Sequence, residues 1–285
     1  AVADGEDVLI GGIMEHVESA GVHSGDSACM IPPRALDEAT MGRVREVTED
    51  IATALDTVGL LNVQLAVKDG EVYVLEANPR SSRTVPFVSK ATGVPIAKLA
   101  ARVMAGETLD EISTEEQIPE DVSVKEVVLP FDRLPGSDPR LGPEMKSTGE
   151  VMGTAGTFAK AYDKAQDSVG KPIPDSGTAW IDLSAAEFPD PDTDAGQELL
   201  DGYAEYFDLA AFDAEDELVS ALREGRIDVV VSRDRDPLEV CVEEEITYFS
   251  TTASAEAALE ALGAKDDPID VQAVSDRPRK IDRWG

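Results

Sequence analysis

The chain has 285 residues with an ordinary hydrophobic share of 42%, enough for two domains with a sizeable core in each. Its 58 acidic residues stand against 25 basic ones, a formal net charge of −33 that is spread along the chain rather than gathered in a tail. That balance argues against nucleic-acid and anionic-membrane partners. No apolar stretch approaches the roughly 20 residues of a membrane span, and two cysteines are too few for a disulfide framework or a zinc cluster.

A cytoplasmic protein with free thiols at Cys29 and Cys241 is therefore expected. The charge points to a surface suited to concentrated salt, and so to a halophilic host, because carboxylates in such number repel one another in dilute buffer.

In chain order, Ala1 is not a methionine, and residues 8–13 (VLIGGI) read as a strand whose partners should lie upstream; the sequence reads as a C-terminal fragment. The polar stretch 15–27 carries Gly21, Val22, His23 and Ser24, with glycines that permit close backbone approach to a ligand. On its residues alone, His23 is open between a satisfied structural histidine and a ligand contact, and no adjacent nucleophile supports a role as a base. After Pro32 and Pro33, Val44, Val47, Ile51, Leu55 and Val58 follow helical spacing up to Gly59.

Residues 60–83, LLNVQLAVKDGEVYVLEANPRSSR, form the stretch with the clearest chemical content. Leu61, Val63, Leu65 and Val67 alternate with Asn62, Gln64 and Ala66, and a second strand-like run follows Asp69-Gly70, so the spacing predicts a β-hairpin. Were Asp69-Gly70 a two-residue turn, Gln64 would pair with Leu75 and Glu76 would fall on the opposite face. A three-residue loop, Lys68-Asp69-Gly70, instead sets Gln64 against Val74 with Glu76 as its same-face diagonal neighbour. The second register is the one expected, because it lets Gln64, Glu76 and Asn78 present hard oxygen ligands to one magnesium ion. Arg80 and Arg83, just past the strand end, can bring guanidinium forks to a phosphoryl group in transfer. A solvated edge hairpin with incidental charges is the competing reading.

A second helix should carry Ile96, Leu99, Ala100, Val103 and Met104 before Gly106, and residues 122–131 (VSVKEVVLPF) read as a strand. A helix over about 157–166 closes this first domain, residues 1–167. Residues 168–177, with two prolines and two glycines, form the linker, and residues 178–285 alternate short strands with helices as a small Rossmann-like parallel α/β domain does. Its last residues, from 266, read as a loosely held tail. The fold class is thus α/β.

The runs GGIMEHVESAGVHSGDSACMIP, GLLNVQLAVKDGEVYVLEANPRSSRTVPFVSKATGVPIAKLAARVMAG and VKEVVLPFDRLPGSDPRLGPEMKSTGEVMG resemble the second ATP-grasp half of the large chain of glutamine-hydrolysing carbamoyl-phosphate synthetase. The resemblance covers about residues 1–167, and TVPFVSKATG and GPEMKSTGEVMG are its most specific parts. It implies a C-terminal part of an ATP-grasp domain that uses ATP with Mg2+ or Mn2+ to phosphorylate carbamate. Gln64, Glu76 and Asn78 fall on the family's divalent-metal positions, with Gln64 and Glu76 also beside the nucleotide. Gly21, Val22, His23 and Ser24 fall on the stretch that contacts the nucleotide, and Arg80 and Arg83 on arginines that face the transferred phosphoryl group. Implied partners are a glutaminase small chain, the missing N-terminal part of the large chain and further copies in an oligomer, and the fragment alone should be inactive.

The last domain resembles the family's methylglyoxal-synthase-like regulatory module more faintly, best over LREGRIDVVVSRDRDPLEVCVEEEITYFSTTASAEAALEAL. In that module a loop holds an effector's phosphate. Here the corresponding stretch, residues 207–216 (FDLAAFDAED), is acidic, which leaves lost or altered effector binding against an effector that is not a phosphate. Another ATP-grasp ligase, or a non-catalytic regulatory or oligomerisation module, are the competing function classes.

Overall fold

The structure, a computed structural model, describes residues 1–134 and 136–266. The tail expected from residue 266 onward lies, but for that residue, outside them. In chain order the elements are β1 (Val2–Asp4), β2 (Val8–Leu9), β3 (Glu15–His16), β4 (Cys29–Ile31), α1 (Glu38–Ala54), β5 (Val58–Leu60), β6 (Asn62–Lys68), β7 (Glu71–Asn78), α2 (Val85–Thr92), α3 (Ile96–Met104) and α4 (Leu109–Ile112). There follow β8 (Val122–Val128), a 3-10 turn (Phe131–Arg133), β9 (Gly149–Ala155), α5 (Phe158–Ser168), β10 (Gly177–Ile181), α6 (Asp194–Ala204), β11 (Phe207–Ala210), α7 (Glu215–Arg223), β12 (Val229–Val231), α8 (Arg235–Glu243), β13 (Thr247–Phe249) and α9 (Thr252–Gly263).

These elements form two compact units. Among the described residues the first comprises Ala1–Glu15 and Met30–Ser123, and the second comprises His16–Cys29 and residues 124–266. The proline- and glycine-rich run 168–177 lies inside the second unit.

In the first unit, β1 is the centre of an antiparallel sheet of order β2-β1-β5. The strand expected over residues 8–13 is shorter, and it pairs within the chain, Val2 opposite Leu9. Asp37 caps α1 by accepting from the Thr40 N–H at 2.8 Å. The helix buries Val44, Val47, Thr48 and Ala52, with Ala52 and Leu61 packed on Ala3. The apolar series ends sooner than its spacing predicts: Leu55 is the exposed C-cap, and exposed Val58 already belongs to β5. The helix expected to carry Ile96 through Met104 before Gly106 is α3, and a further helix, α2, precedes it. Gly93, in the left-handed region at φ +76°, ends α2, and Pro95 leads into α3.

In the second unit, Val124 through Val127 of β8 are all buried, and β8 and β9 are sheet neighbours. Beside it, β9 carries Gly153, whose missing Cβ would collide with the Ala161 carbonyl oxygen of α5, so helix and strand approach as closely as backbones can. The unit also holds a four-stranded, wholly parallel sheet of order β11-β10-β12-β13. This is the Rossmann-like arrangement expected. Its core gathers Leu218, Ala221, Leu222, Val230, Leu238 and Cys241. Among the described residues no helix is long and apolar enough to cross a membrane, and both cysteines are buried free thiols.

Candidate phosphoryl-transfer site

The hairpin β6–β7 is real, but its turn is the two-residue one. Lys68 pairs with Glu71, and Asp69 and Gly70 take φ values of +53° and +77°, the doubly left-handed turn that matches strand twist. The expected register, Gln64 against Val74, is therefore wrong: Val74 sits opposite Leu65. A bulge between Gln64 and Leu65 leaves Leu75 as an extra residue in β7, and the ladder resumes with Gln64 opposite Glu76, Val63 opposite Ala77 and Asn62 opposite Asn78. Two corrections cancel. The tight turn alone would have split Gln64 from Glu76, and the bulge puts them back together as a direct cross-strand pair, a closer relationship than the diagonal one expected.

Residues in that position have Cβ atoms about 5 Å apart, within the span of one small cation with two side-chain oxygens. Asn78 continues the row, and its side-chain nitrogen donates to Glu76 Oε1 at 3.0 Å, which leaves the side-chain oxygen, Oδ1, to face a cation. Two amide oxygens and a carboxylate are hard donors of the kind that magnesium and manganese take and zinc or copper do not favour. Among the described residues no group of three or more His, Cys, Asp or Glu side chains is placed to hold a metal. The residues thus fit a divalent ion whose remaining ligands come from phosphate and water.

Just past β7 the backbone turns: the Arg80 N–H donates to the Asn78 carbonyl at 2.8 Å, and one Arg80 guanidinium nitrogen donates to the Ser81 carbonyl at 2.9 Å. Arg80 and Arg83 both lie exposed between the strand end and α2. The first unit therefore brings Gln64, Glu76, Asn78 and Arg80 to one end of one hairpin, with Arg83 three residues on. Sequence reading overlooked the groups behind Arg80. Asn62, Ser82 and Thr84 line a cavity of about 50 Å³ with it; their one legible signal was the hydroxyl-rich run Ser81-Ser82-Arg83-Thr84 directly after the strand.

Gly21, Val22, His23 and Ser24 belong to the second unit. Gly21 has φ +121°, a conformation that a side chain would strain. The His23 N–H donates to the Gly142 carbonyl at 2.8 Å, and its Nδ1 accepts from the Gly25 N–H at 3.0 Å, so the neutral ring carries its proton on Nε2. Buried Asp26 anchors the loop from below, accepting from the N–H groups of Lys146 at 2.6 Å and Ser147 at 2.9 Å. Lys146 Nζ in turn donates to the carbonyls of Asp138 and Arg140. Hydrogen bonds from Arg140 pull the Asp138 carboxyl down to about 2.

Behind this loop lies a buried polar group that sequence reading also overlooked. Glu18 accepts from Ser27 Oγ at 2.5 Å and the Ala28 N–H at 2.8 Å, yet burial raises its pKa. Glu126 accepts from Gln166 Nε2 and the Val127 N–H, both at 2.8 Å, and burial pushes its carboxyl up to about 7. Burial, helped by the charge of Lys125, lowers His16 to about 4.

In the parallel sheet, residues 207–216 form β11 and the turn into α7, a strand-to-helix turn at a carboxyl end, where α/β folds hold ligands. The first turn of α7 holds Glu215, Asp216 and Glu217, and its N-cap, Ala214, offers no side-chain cap.

The profile of the carbamoyl-phosphate synthase L chain, ATP binding domain, matches residues 1–112. The carbamoyl phosphate synthase large chain of Halobacterium salinarum is 60% identical over all of this chain and 26% of its own length. The large chain of Methanosphaerula palustris is 45% identical over 96% of this chain and 29% of its own, and that of Vibrio cholerae 46% identical over 91% and 24%. Among solved structures, the biotin carboxylase domain of a thermophilic 2-oxoglutarate carboxylase is similar over 58% of this chain and 43% of that one, with 16% identity and a TM-score of 0.46. This chain, which spans about a quarter of the length of the curated relatives it matches, belongs to the family of the carbamoyl phosphate synthase large chain.

Proposed function

We propose that this chain is the part of a carbamoyl phosphate synthase large chain that phosphorylates carbamate with ATP, feeding arginine and pyrimidine synthesis in the cytoplasm of a salt-accumulating cell. The observation that carries this reading is the pairing of Gln64 with Glu76, beside Asn78 and ahead of Arg80 and Arg83. Transfer of a phosphoryl group to a carbamate oxygen needs positioning and charge neutralisation rather than a protein nucleophile. Gln64, Glu76 and Asn78 would hold Mg2+ or Mn2+, which when bound supplies positive charge to the phosphate oxygens. The guanidinium forks of Arg80 and Arg83 orient the group in flight and stabilise the charge on its equatorial oxygens. Gly21, Val22, His23 and Ser24 contact the nucleotide.

The ammonia that becomes carbamate nitrogen would come from a glutaminase small chain. The rest of the large chain would supply the first phosphorylation, and assembly into an oligomer and inactivity of this piece alone belong to the same reading. The test is the reverse reaction in the complete large chain: ATP formed from carbamoyl phosphate and ADP with Mg2+ or Mn2+. Formation that disappears on Arg83→Ala while nucleotide still binds supports the assignment. A complete chain that never forms ATP from carbamoyl phosphate removes it.

A further inference from the structure

Within the second unit, the carboxyl ends of β12 and β13 are tied to the loop that carries His23. The link is Arg233, two residues past β12, whose guanidinium fork points three ways. Its Nε donates to Glu187 Oε1 at 2.9 Å, one terminal nitrogen to the Ser250 carbonyl just past β13 at 3.3 Å, and the other to the Leu141 carbonyl at 3.3 Å. A rigid planar group with five donors spans acceptors on three separate stretches of chain. A lysine ammonium, a compact charge on a flexible stem, does not.

The next carbonyl along, that of Gly142, accepts from the His23 N–H at 2.8 Å. Sterics hold it only loosely. Apart from its chain neighbours, no heavy atom lies within 4 Å of a Cβ built on Gly142, and glycine has the widest backbone freedom of any residue. Pro143 disfavours the helical region for the residue before it but brings no N–H of its own to tie the next peptide. The direction of the Gly142 carbonyl therefore depends on the planar peptide on its other side, whose oxygen is the one that Arg233 grips. The far end of the His23 loop is anchored separately: Asp26 accepts from the Lys146 and Ser147 N–H groups, and Ser147 Oγ donates to the Gly25 carbonyl at 2.8 Å. Loss of Arg233 would leave the loop attached at Asp26 and free its His23 end to shift.

We propose that Arg233 is a positioning residue for the nucleotide: by holding the Leu141 carbonyl it aims the Gly142 carbonyl, which sets the backbone of His23 and so the affinity of the loop for adenine nucleotide. The inference rests on the reading of Gly21, Val22, His23 and Ser24 as nucleotide contacts. It gives the parallel sheet a part in the reaction that needs no ligand of its own. Arg233 acts through backbone alone and touches neither nucleotide nor metal, so its removal should weaken nucleotide binding while the chemical step proceeds at its usual rate once the site is filled.

The experiment measures ATP formation from ADP and carbamoyl phosphate by the complete large chain with Arg233→Ala and with Arg233→Lys, the second keeping the charge where the first might not fold. Each should raise KM for ADP about fivefold and leave kcat and KM for carbamoyl phosphate within about twofold. Arg226→Ala, which removes an equal charge from an exposed pair with Glu224, should change none of the three. Gly142→Ala, for which the fold has room, narrows the backbone at that point and should recover part of the loss when combined with Arg233→Ala. An unchanged KM for ADP, a KM for carbamoyl phosphate that rises equally, or full recovery by Arg233→Lys overturns the inference and leaves the phosphorylation reading in place. If the unmodified chain forms no ATP from carbamoyl phosphate, that reading falls, and the same variants compared by calorimetric binding of ADP decide the inference by itself.

Discussion

Gln64 and Glu76 face each other across the hairpin because Leu75 is an extra residue in β7. The pairing makes Glu76 the one carboxylate in a row of amides, and its replacement is the most direct probe of the metal set. Glu76 is exposed, so Glu76→Gln in the complete large chain should leave the melting temperature within about 1–2 °C. It should lower Mg2+-dependent formation of ATP from carbamoyl phosphate at least a hundredfold, while glutamine hydrolysis by the partner chain persists. Equal loss of both activities would make Glu76 a structural residue.

The hairpin was the most legible part of the sequence and still held a surprise. Alternation of Val63, Leu65 and Val67 with polar neighbours marks β6, and Asp69-Gly70 marks the turn. A bulge leaves no such mark, because it depends on how the two strands twist against one another rather than on either strand's composition. For a similar reason β9 escaped notice: two glycines in seven residues give little strand signal, and only the approach of α5 explains why Gly153 stands in a strand. The apolar series from Ile96 to Met104 marked α3, whereas α2, set off from it by Gly93 and Pro95, had no such series read for it. By contrast α5, and the alternation of short strands with helices in the parallel sheet, stood out from spacing alone.

Charge gives a second expectation. With −33 on the chain, going from molar salt to about 0.1 M lengthens the Debye length from roughly 3 to 10 Å and unmasks repulsion among the carboxylates. The melting temperature should climb steeply with potassium chloride over that range. A flat profile would remove the halophilic reading.

Glu126 makes stability depend on pH in a direction opposite to that of most carboxylates. Its pKa in the fold, about 7, stands above its ordinary 4.5 because it is buried, so the folded state holds a proton that unfolding releases. The resulting stabilisation is complete below about pH 4.5 and is lost as pH rises through about 7, a span worth about 3 kcal/mol. His16, lowered to about 4, works the other way, losing its contribution as pH falls from about 6.5 through 4. A difference measurement separates them: relative to Glu126→Gln, the unmodified chain should lose about 3 kcal/mol of unfolding free energy between pH 4.5 and 7.5 at constant salt. Parallel pH profiles for the two would show that Glu126 does not titrate in this range.

The turn from β11 into α7 should not hold a phosphate. A dianion needs N–H groups at a helix start with a hydroxyl or cation nearby, and here the first turn offers Glu215, Asp216 and Glu217. Calorimetric titration of the full chain with inorganic phosphate and with UMP or IMP in molar potassium chloride should give no measurable heat. Micromolar binding that disappears on substitution near this turn would reverse the conclusion.

The run between Gly136 and Thr148 contains neither helix nor strand, but it is fastened on two sides. Its Gly142 carbonyl and the Lys146 and Ser147 amides are bonded to His23 and Asp26, and the Gly136 and Leu141 carbonyls accept from Arg235 and Arg233. Irregular backbone of this kind ordinarily exchanges its amide protons within moments of entering deuterated water. The Lys146 and Ser147 amides, locked on a carboxylate that is itself sealed from solvent, should keep their protons on the timescale of neighbouring β8, so that a segment with the outline of a loop behaves as a strut.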